Sequence, residues 1–332
     1  MSNQTPLLPN DSQIFEETAD SKPMDHRRRG LVQKSLVLLL VFIIGLGSGY
    51  LIGHKTTQPE STIEIAAAED NPMALMMHQI NPPEGYQIPA VFGDIGPQLI
   101  EAGAINMPIF IDLYQRQNNP LTDEQMSILT KETASKVVIN PENAYFLLNF
   151  FWALGLTNQN PILTEGPLMS GGMEKVGSFA STGGWTIGTK QPIELYASQK
   201  IITLTDEQQA RLLEVASEVY RPCCNNPTHF PDCNHGMAML GLLELMAAQN
   251  ASSEDMFETA KYVTAFWYPQ QMLEVATVFK ATQNVDFVEA DARQVVSNKY
   301  SSGSGFQSVH QWLVSNGLLQ QAPSSGGSCG VQ

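Results

Sequence analysis

The sequence predicts a mainly α protein: one N-terminal transmembrane helix, then an extracytoplasmic helical domain carrying a glycine-rich insert of loop or short strands. Three observations predict it. Ser35–Gly53 is an uncharged apolar run of about the 20 residues a membrane-spanning helix needs. Two phrases, Thr122-Asp-Glu-Gln125 and Thr205-Asp-Glu-Gln208, place threonine three residues before glutamine, the mark of a capped helix start. Several later windows repeat apolar residues at helical spacing.

Residues 1–34 hold five basic and five acidic side chains, so this tail is nearly neutral. His26-Arg27-Arg28-Arg29 and Lys34 precede the apolar run, and only His54 and Lys55 follow it closely. The positive-inside rule therefore puts residues 1–34 in the cytoplasm and the rest outside. The run is longer than the core of a cleaved signal peptide, and the reading is an uncleaved signal anchor lying in a lipid bilayer through residues 35–53. Residues 54–72 read as a polar tether, 73–320 as the helical domain, and 321–332 as a flexible Gly/Ser tail bearing Cys329. The chain has 332 residues and a formal charge of −15, all of it carried beyond residue 34. Such an acidic body argues against nucleic acid as a partner.

Tyr145–Leu156 is apolar nearly all round, with Asn149 inside it, and reads as a central core helix. Asn140-Pro141 is its expected start and Gly155 its expected stop. Gly166–Gly188 contains seven glycines and reads as short strands or an ordered loop, a structural segment or a wall over the neighbouring site. A helix over about residues 206–220 carries the stripe Leu212, Val215, Ala216 and Val219, ended by Pro222. Another runs from about His235 to Gln249 with Met239, Leu242, Leu243 and Met246 inward, and Asn250 is its left-handed stop. Ser252 opens a third helix that reaches Trp267-Tyr268 and meets Pro269. More helical pattern lies near 270–282, 286–297 and 306–316.

The chemistry concentrates between the first two of these helices. Tyr220–Met239 holds three of the four cysteines, two of the six histidines and two methionines. Thiolate, imidazole and thioether are ligands for soft and borderline metals. Cys223, Cys224, Cys233 and His235 offer three sulfurs and one nitrogen, with Asn234 as the expected cap of the helix His235 enters. Met237 and Met239 are candidate auxiliary ligands, and Cys329 a mobile one. Copper or another soft transition metal fits this donor set. A closed zinc site and an iron–sulfur cluster completed by Cys329 stay open, although adjacent cysteines fit the usual zinc spacing poorly. His229 is either a further ligand or simply exposed, and His310 a structural residue. Met73, Met76, Met77 and His78 form a second soft cluster whose spacing equally suits a core stripe.

The expected role is metal binding or handling, with a metal-donor or metal-acceptor protein as partner. Two alternatives stand beside it. One is a thiol–disulfide oxidoreductase or redox sensor, weakened by the lack of Cys-x-x-Cys. The other is a structural or interaction domain whose loop is stapled by a disulfide; a bond from Cys223 or Cys224 to Cys233 would close a loop of about ten residues. No phosphate-binding glycine spacing, zinc-protease motif or catalytic triad is legible.

Overall fold

A computed structural model describes residues 72–319. The anchor Ser35–Gly53, the tail 1–34, most of the tether and Cys329 lie outside the described residues. Among those described, no helix is long and apolar enough to cross a membrane.

The described chain is mainly helical. It opens with α1 (Pro72–Ile80), β1 (Tyr86–Gly93), α2 (Ile95–Glu101), α3 (Met107–Arg116), α4 (Asp123–Thr130) and β2 (Thr133–Ile139). The strands pair antiparallel, Tyr86 opposite Ile139 and Gly93 opposite Thr133, with irregular register between. Ile88, Ala90 and Phe92 point inward at alternate positions, the period of a half-buried strand. The expected threonine cap of α4 is present in full, Thr122 and Gln125 each satisfying the other's backbone N–H.

Helix α5 (Ala144–Thr157) has every residue but Tyr145 buried. It starts three residues later than Pro141, because Asn140 and Asn143 form a turn first: both side chains bond backbone N–H groups there. Gly155 is not its stop. It lies inside the helix, where an added Cβ would sit 2.1 Å from the Met237 carbonyl, and a Cβ on Gly241 would meet the Phe151 carbonyl at 2.4 Å. These two glycines let α5 and α7 (Asn234–Ala248) approach backbone to backbone, which no larger residue permits.

The glycine-rich insert is helical rather than stranded. It winds through a 3-10 turn at Pro167–Gly171 and short helices Gly172–Ser178 and Ala180–Gly183. Gly183 and Gly184 bring backbone within 2.4 Å and 2.3 Å of where a Cβ would stand, so the glycines serve tight coiling. Trp152 Nε1 donates to Ser181 O at 2.7 Å and Trp185 Nε1 to Ala104 O at 2.8 Å, which moors the insert to the core.

Helices α6 (Asp206–Glu218), α7, α8 (Ser253–Trp267), α9 (Pro269–Gln283) and α10 (Gly303–Ser315) complete the body. The capping boxes at Thr205 and Ser252 form as expected, the second with Asp255, and Asn250 takes the left-handed conformation. Residues 286–297 yield only the single turn Ala292–Val295, followed by another at Asn298–Ser301. Met76 and Met77 pack against a second apolar cluster under α9 and α10, and Met76 Sδ lies 3.5 Å from Thr277 Oγ1. Both are half-buried in the stripe their spacing allowed, whereas Met73 and His78 are exposed.

Candidate metal and thiol site

Residues 219–233 join α6 to α7. The chain leaves α6 at Val219, whose extended backbone ends the helix, and Pro222 prevents its resumption. The loop then folds back. Thr228 N and Oγ1 donate to Val219 O at 2.9 and 3.0 Å, and His229 N donates to Ala216 O at 2.9 Å. These bonds satisfy carbonyls that a helix end leaves open. Further ties come from distant segments: Ser181 N to Asp232 O at 3.1 Å, Gly303 N to Cys224 O at 2.8 Å, and Ser304 N to Asn225 Oδ1 at 2.7 Å. Phe179 meets Phe230 edge to face at 5.7 Å. The insert is therefore a wall of the loop.

Arg221 is the centre of the loop. It is 3% exposed, and a buried guanidinium is tolerable only when its donors are matched. Nε donates to Cys233 Sγ at 3.0 Å, one terminal nitrogen to Asn226 O at 2.9 Å, and the other to Asp232 Oδ1 at 2.8 Å. Asn226 Nδ2 holds the second Asp232 oxygen at 2.8 Å. Gly236 gives the guanidinium its room, since a Cβ there would lie 2.3 Å from it.

The three cysteines converge on this arginine. Their Sγ atoms lie within 4.8 Å of one another, Cys223 and Cys233 being 3.4 Å apart. None is in a disulfide. Cys233, not Asn234, caps α7: its Sγ accepts from Gly236 N at 3.4 Å. Hydrogen bonds with Cys223 and Cys224 hold the Cys233 thiol well below its usual range, with Arg221 adding to them against burial. A positive helix end and a neighbouring guanidinium are the conditions that favour a thiolate. Cys224 goes the other way. A bond with Cys223 lowers it, but the bond with Cys233 and burial outweigh that and push it up to about 12. Its Sγ lies 3.6 Å from Asp232 Oδ1 and 3.8 Å from Asn226 O, so it is a donor. The cluster is asymmetric: the environment of Cys233 at the helix end favours its thiolate, whereas Cys224 faces a carboxylate.

His235 does not join the three-sulfur group among the described residues. Its ring packs on Tyr268 at 4.6 Å and Trp267 at 5.7 Å, and Nδ1 lies 2.9 Å from Asn234 Oδ1. Burial depresses it to about 4, so it is a neutral imidazole beside the cluster. Met237 and Met239 are buried in the main apolar core, in the stripe that seats α7. His229 also stays outside the group. His310 Nδ1 pairs with Glu274 at 2.9 Å, the structural role its helix suggested. The Tyr268 hydroxyl is buried without a well-formed hydrogen bond. Burial raises its pKa, and the charges of Cys223 and Cys233 raise it further.

Sequence reasoning did not find Arg221, Asp232 or Tyr268. A signal existed for the first: it directly precedes Pro-Cys-Cys in a chain with only 18 basic residues. Tyr268 lies 35 positions beyond Cys233, and nothing local links the two. Compared with protein-family models, with curated proteins and with solved structures, the chain matches none.

A three-cysteine group of this size can hold a soft metal ion. Sulfurs bound at about 2.3 Å stand roughly 3.8 Å apart in a tetrahedron and roughly 4.0 Å apart in a trigonal plane. A Cys223–Cys233 separation of 3.4 Å, with all three sulfurs within 4.8 Å of one another, is compatible with either.

Proposed function

We propose that this chain binds and hands on a soft metal ion, copper(I) foremost, at Cys223, Cys224 and Cys233. The observation that carries the reading is the convergence of three unbonded thiols within 4.8 Å on a loop fixed by hydrogen bonds at both ends and in the middle. A preorganised group avoids the ordering cost that a flexible ligand set incurs on binding. Copper is favoured over zinc on two counts. Thiolates suit copper(I), and a group of three sulfurs, as found among the described residues, suits its trigonal habit better than the closed tetrahedron of structural zinc. Arg221 supplies a fixed positive charge that offsets part of the negative charge left by three thiolates on a monovalent ion.

The basic residues before Ser35–Gly53 support a membrane anchor that presents this domain outside the cytoplasm. A soft-metal donor or acceptor protein is the partner chemistry that fits. The test is elemental analysis of the full chain purified under reducing conditions, beside Cys223→Ser/Cys224→Ser. The expected result is about one copper per chain in the wild type, held against a chromophoric copper(I) chelator, and none in the double variant. A metal-free reduced wild type overturns the reading.

A further inference from the structure

We propose that Cys223 and Cys233 form a redox pair that closes to a disulfide by exchange with an external disulfide, and that closure dismantles the metal site. The second half rests on the metal reading above; the first half stands on thiol geometry alone.

The pair is singled out from the other two by position. Cys223 and Cys233 Sγ are 3.4 Å apart, and a disulfide bond of about 2.05 Å needs them to close by little more than an ångström. The fixed partner is Cys233, the cap of a helix pinned at the Gly155–Gly241 crossing. Cys223 rides on the loop just after Pro222 and can take up the movement. Cys224 is turned to Asp232 and Asn226, and its carbonyl is held by Gly303 N. The Cys223 and Cys224 sulfurs also lie within 4.8 Å of each other, but a disulfide between adjacent residues closes a strained ring.

Burial sets the order of events. Cys233 is buried, while Cys223 and Cys224 are partly exposed; of these two, Cys223 stands 3.4 Å from Cys233 and is the entry point for an incoming disulfide. The Cys223 thiolate attacks one sulfur of R–S–S–R, forming a Cys223–S–S–R bond and releasing R–S⁻. Cys233, 3.4 Å from Cys223 with its sulfur also facing the Arg221 guanidinium and Gly236 N, gives up its proton and makes the second attack. It displaces the remaining R–S⁻ from Cys223 and leaves Cys223–S–S–Cys233. Two protein thiols are oxidised and one external disulfide is reduced to two thiols, which take up the two protons. The oxidant is thus a small-molecule or protein disulfide. Closure consumes two of the three sulfur ligands, leaving Cys224 alone, and one thiol does not hold the ion.

The experiment uses the full chain, reduced and then equilibrated across glutathione buffers of rising oxidised fraction. Free thiols are alkylated, the bond is mapped by peptide mass spectrometry, and copper(I) uptake is titrated on both forms. The expected outcome is one bond, Cys223 to Cys233, with Cys224 alkylated, copper uptake lost on oxidation, and uptake restored by a reductant. A bond to Cys224, absence of any bond, or copper retained by the bonded form overturns the proposal. Cys233→Ser is expected to accumulate a mixed disulfide with glutathione at Cys223. Should that variant not fold, Cys224→Ser serves instead and is expected to form the same bond as the wild type; failure to do so overturns the pairing. A reduced wild type that takes no copper sinks the metal reading, whereas the mapped bond decides the pair independently.

Discussion

Among the described residues two cations lie buried, Arg221 and Lys261, and they do different things. Lys261 on α8 is fully buried. Its ammonium donates to Phe287 O and Ala290 O, each at 3.2 Å, and lies 2.8 Å from Glu258 Oε1. Three donors meet three oxygens, with the Tyr262 and Phe287 rings alongside. Arg221 is equally buried but gives one of its hydrogens to sulfur, and that sulfur touches another thiol. Lys261 is a staple that fastens residues 287–290 to a helix. Arg221 is a fixed charge facing groups that can lose protons, gain metal or form a bond. A buried cation does not mark a site; the chemistry of its acceptors does.

The comparison can be broken at either end. Arg221→Ala should have the largest effect. It takes the guanidinium away from Asp232, Asn226 O and Cys233, and breaking such a buried pair costs about 3–5 kcal/mol. Urea unfolding should read that loss, and any folded fraction should show slower alkylation of Cys233 at neutral pH. Unchanged Cys233 reactivity would refute the role given to the guanidinium. Lys261→Ala should cost about 3 kcal/mol, because two buried carbonyls lose a partner at roughly 1–3 kcal/mol each. Its metal stoichiometry and thiol reactivity should stay those of the wild type, and a change in either would erase the distinction between staple and site. Gly236→Ala should cost about 1–3 kcal/mol, the usual penalty of overpacking, since its Cβ collides with the guanidinium. It should also weaken metal retention in the chelator competition, whereas a small substitution beside Lys261 should not.

A buried acid solves the same problem in a third way. Glu244 on α7 is wholly buried; Asn158 Nδ2 meets one oxygen at 3.1 Å, and the other has no partner. Burial pushes its pKa well above the usual carboxylate range, with the Asn158 bond only partly opposing. The folded chain thus keeps a proton that the unfolded chain releases near pH 4.5. Stability from this group is fully present below that pH and declines as pH rises toward the raised folded value. Glu244→Gln cannot titrate, so thermal melts from pH 5 to 8 should show a flatter decline than in the wild type. Equal slopes would count against it. Unlike Arg221, whose charge is permanent, Glu244 resolves its burial by staying neutral.

What the sequence made legible follows a clear line. Signals that act within one turn were readable: the boxes at Thr122, Thr205 and Ser252, the stop at Asn250, and the all-round apolar run of α5. Ligand types near one another in sequence were readable too, and Cys223, Cys224 and Cys233 do meet. Features set by distant contact were not. Gly155 looks like a stop until Gly241 is known to face it. The glycines of 166–188 suggest strands until the two tryptophans fix that segment as coiled turns. Ile88, Ala90 and Phe92 alternate, but Pro89 and the irregular register obscure β1. Met237 and Met239 have the right atoms for a metal, and packing places both in the apolar core.

The tie between Asn225 and Ser304 spans 79 residues of sequence, while the sulfur cluster spans ten. During synthesis from the N-terminus, the cysteine loop is therefore complete long before the segment that locks it emerges. For that interval the loop is joined to the chain but not yet pinned at Cys224 and Asn225. An ion or a disulfide partner that arrives then meets a softer receptor than the finished protein presents. On the metal and thiol readings proposed above, the emergence of α10 as well as the identity of the ligands sets when the site becomes hard to enter and hard to leave.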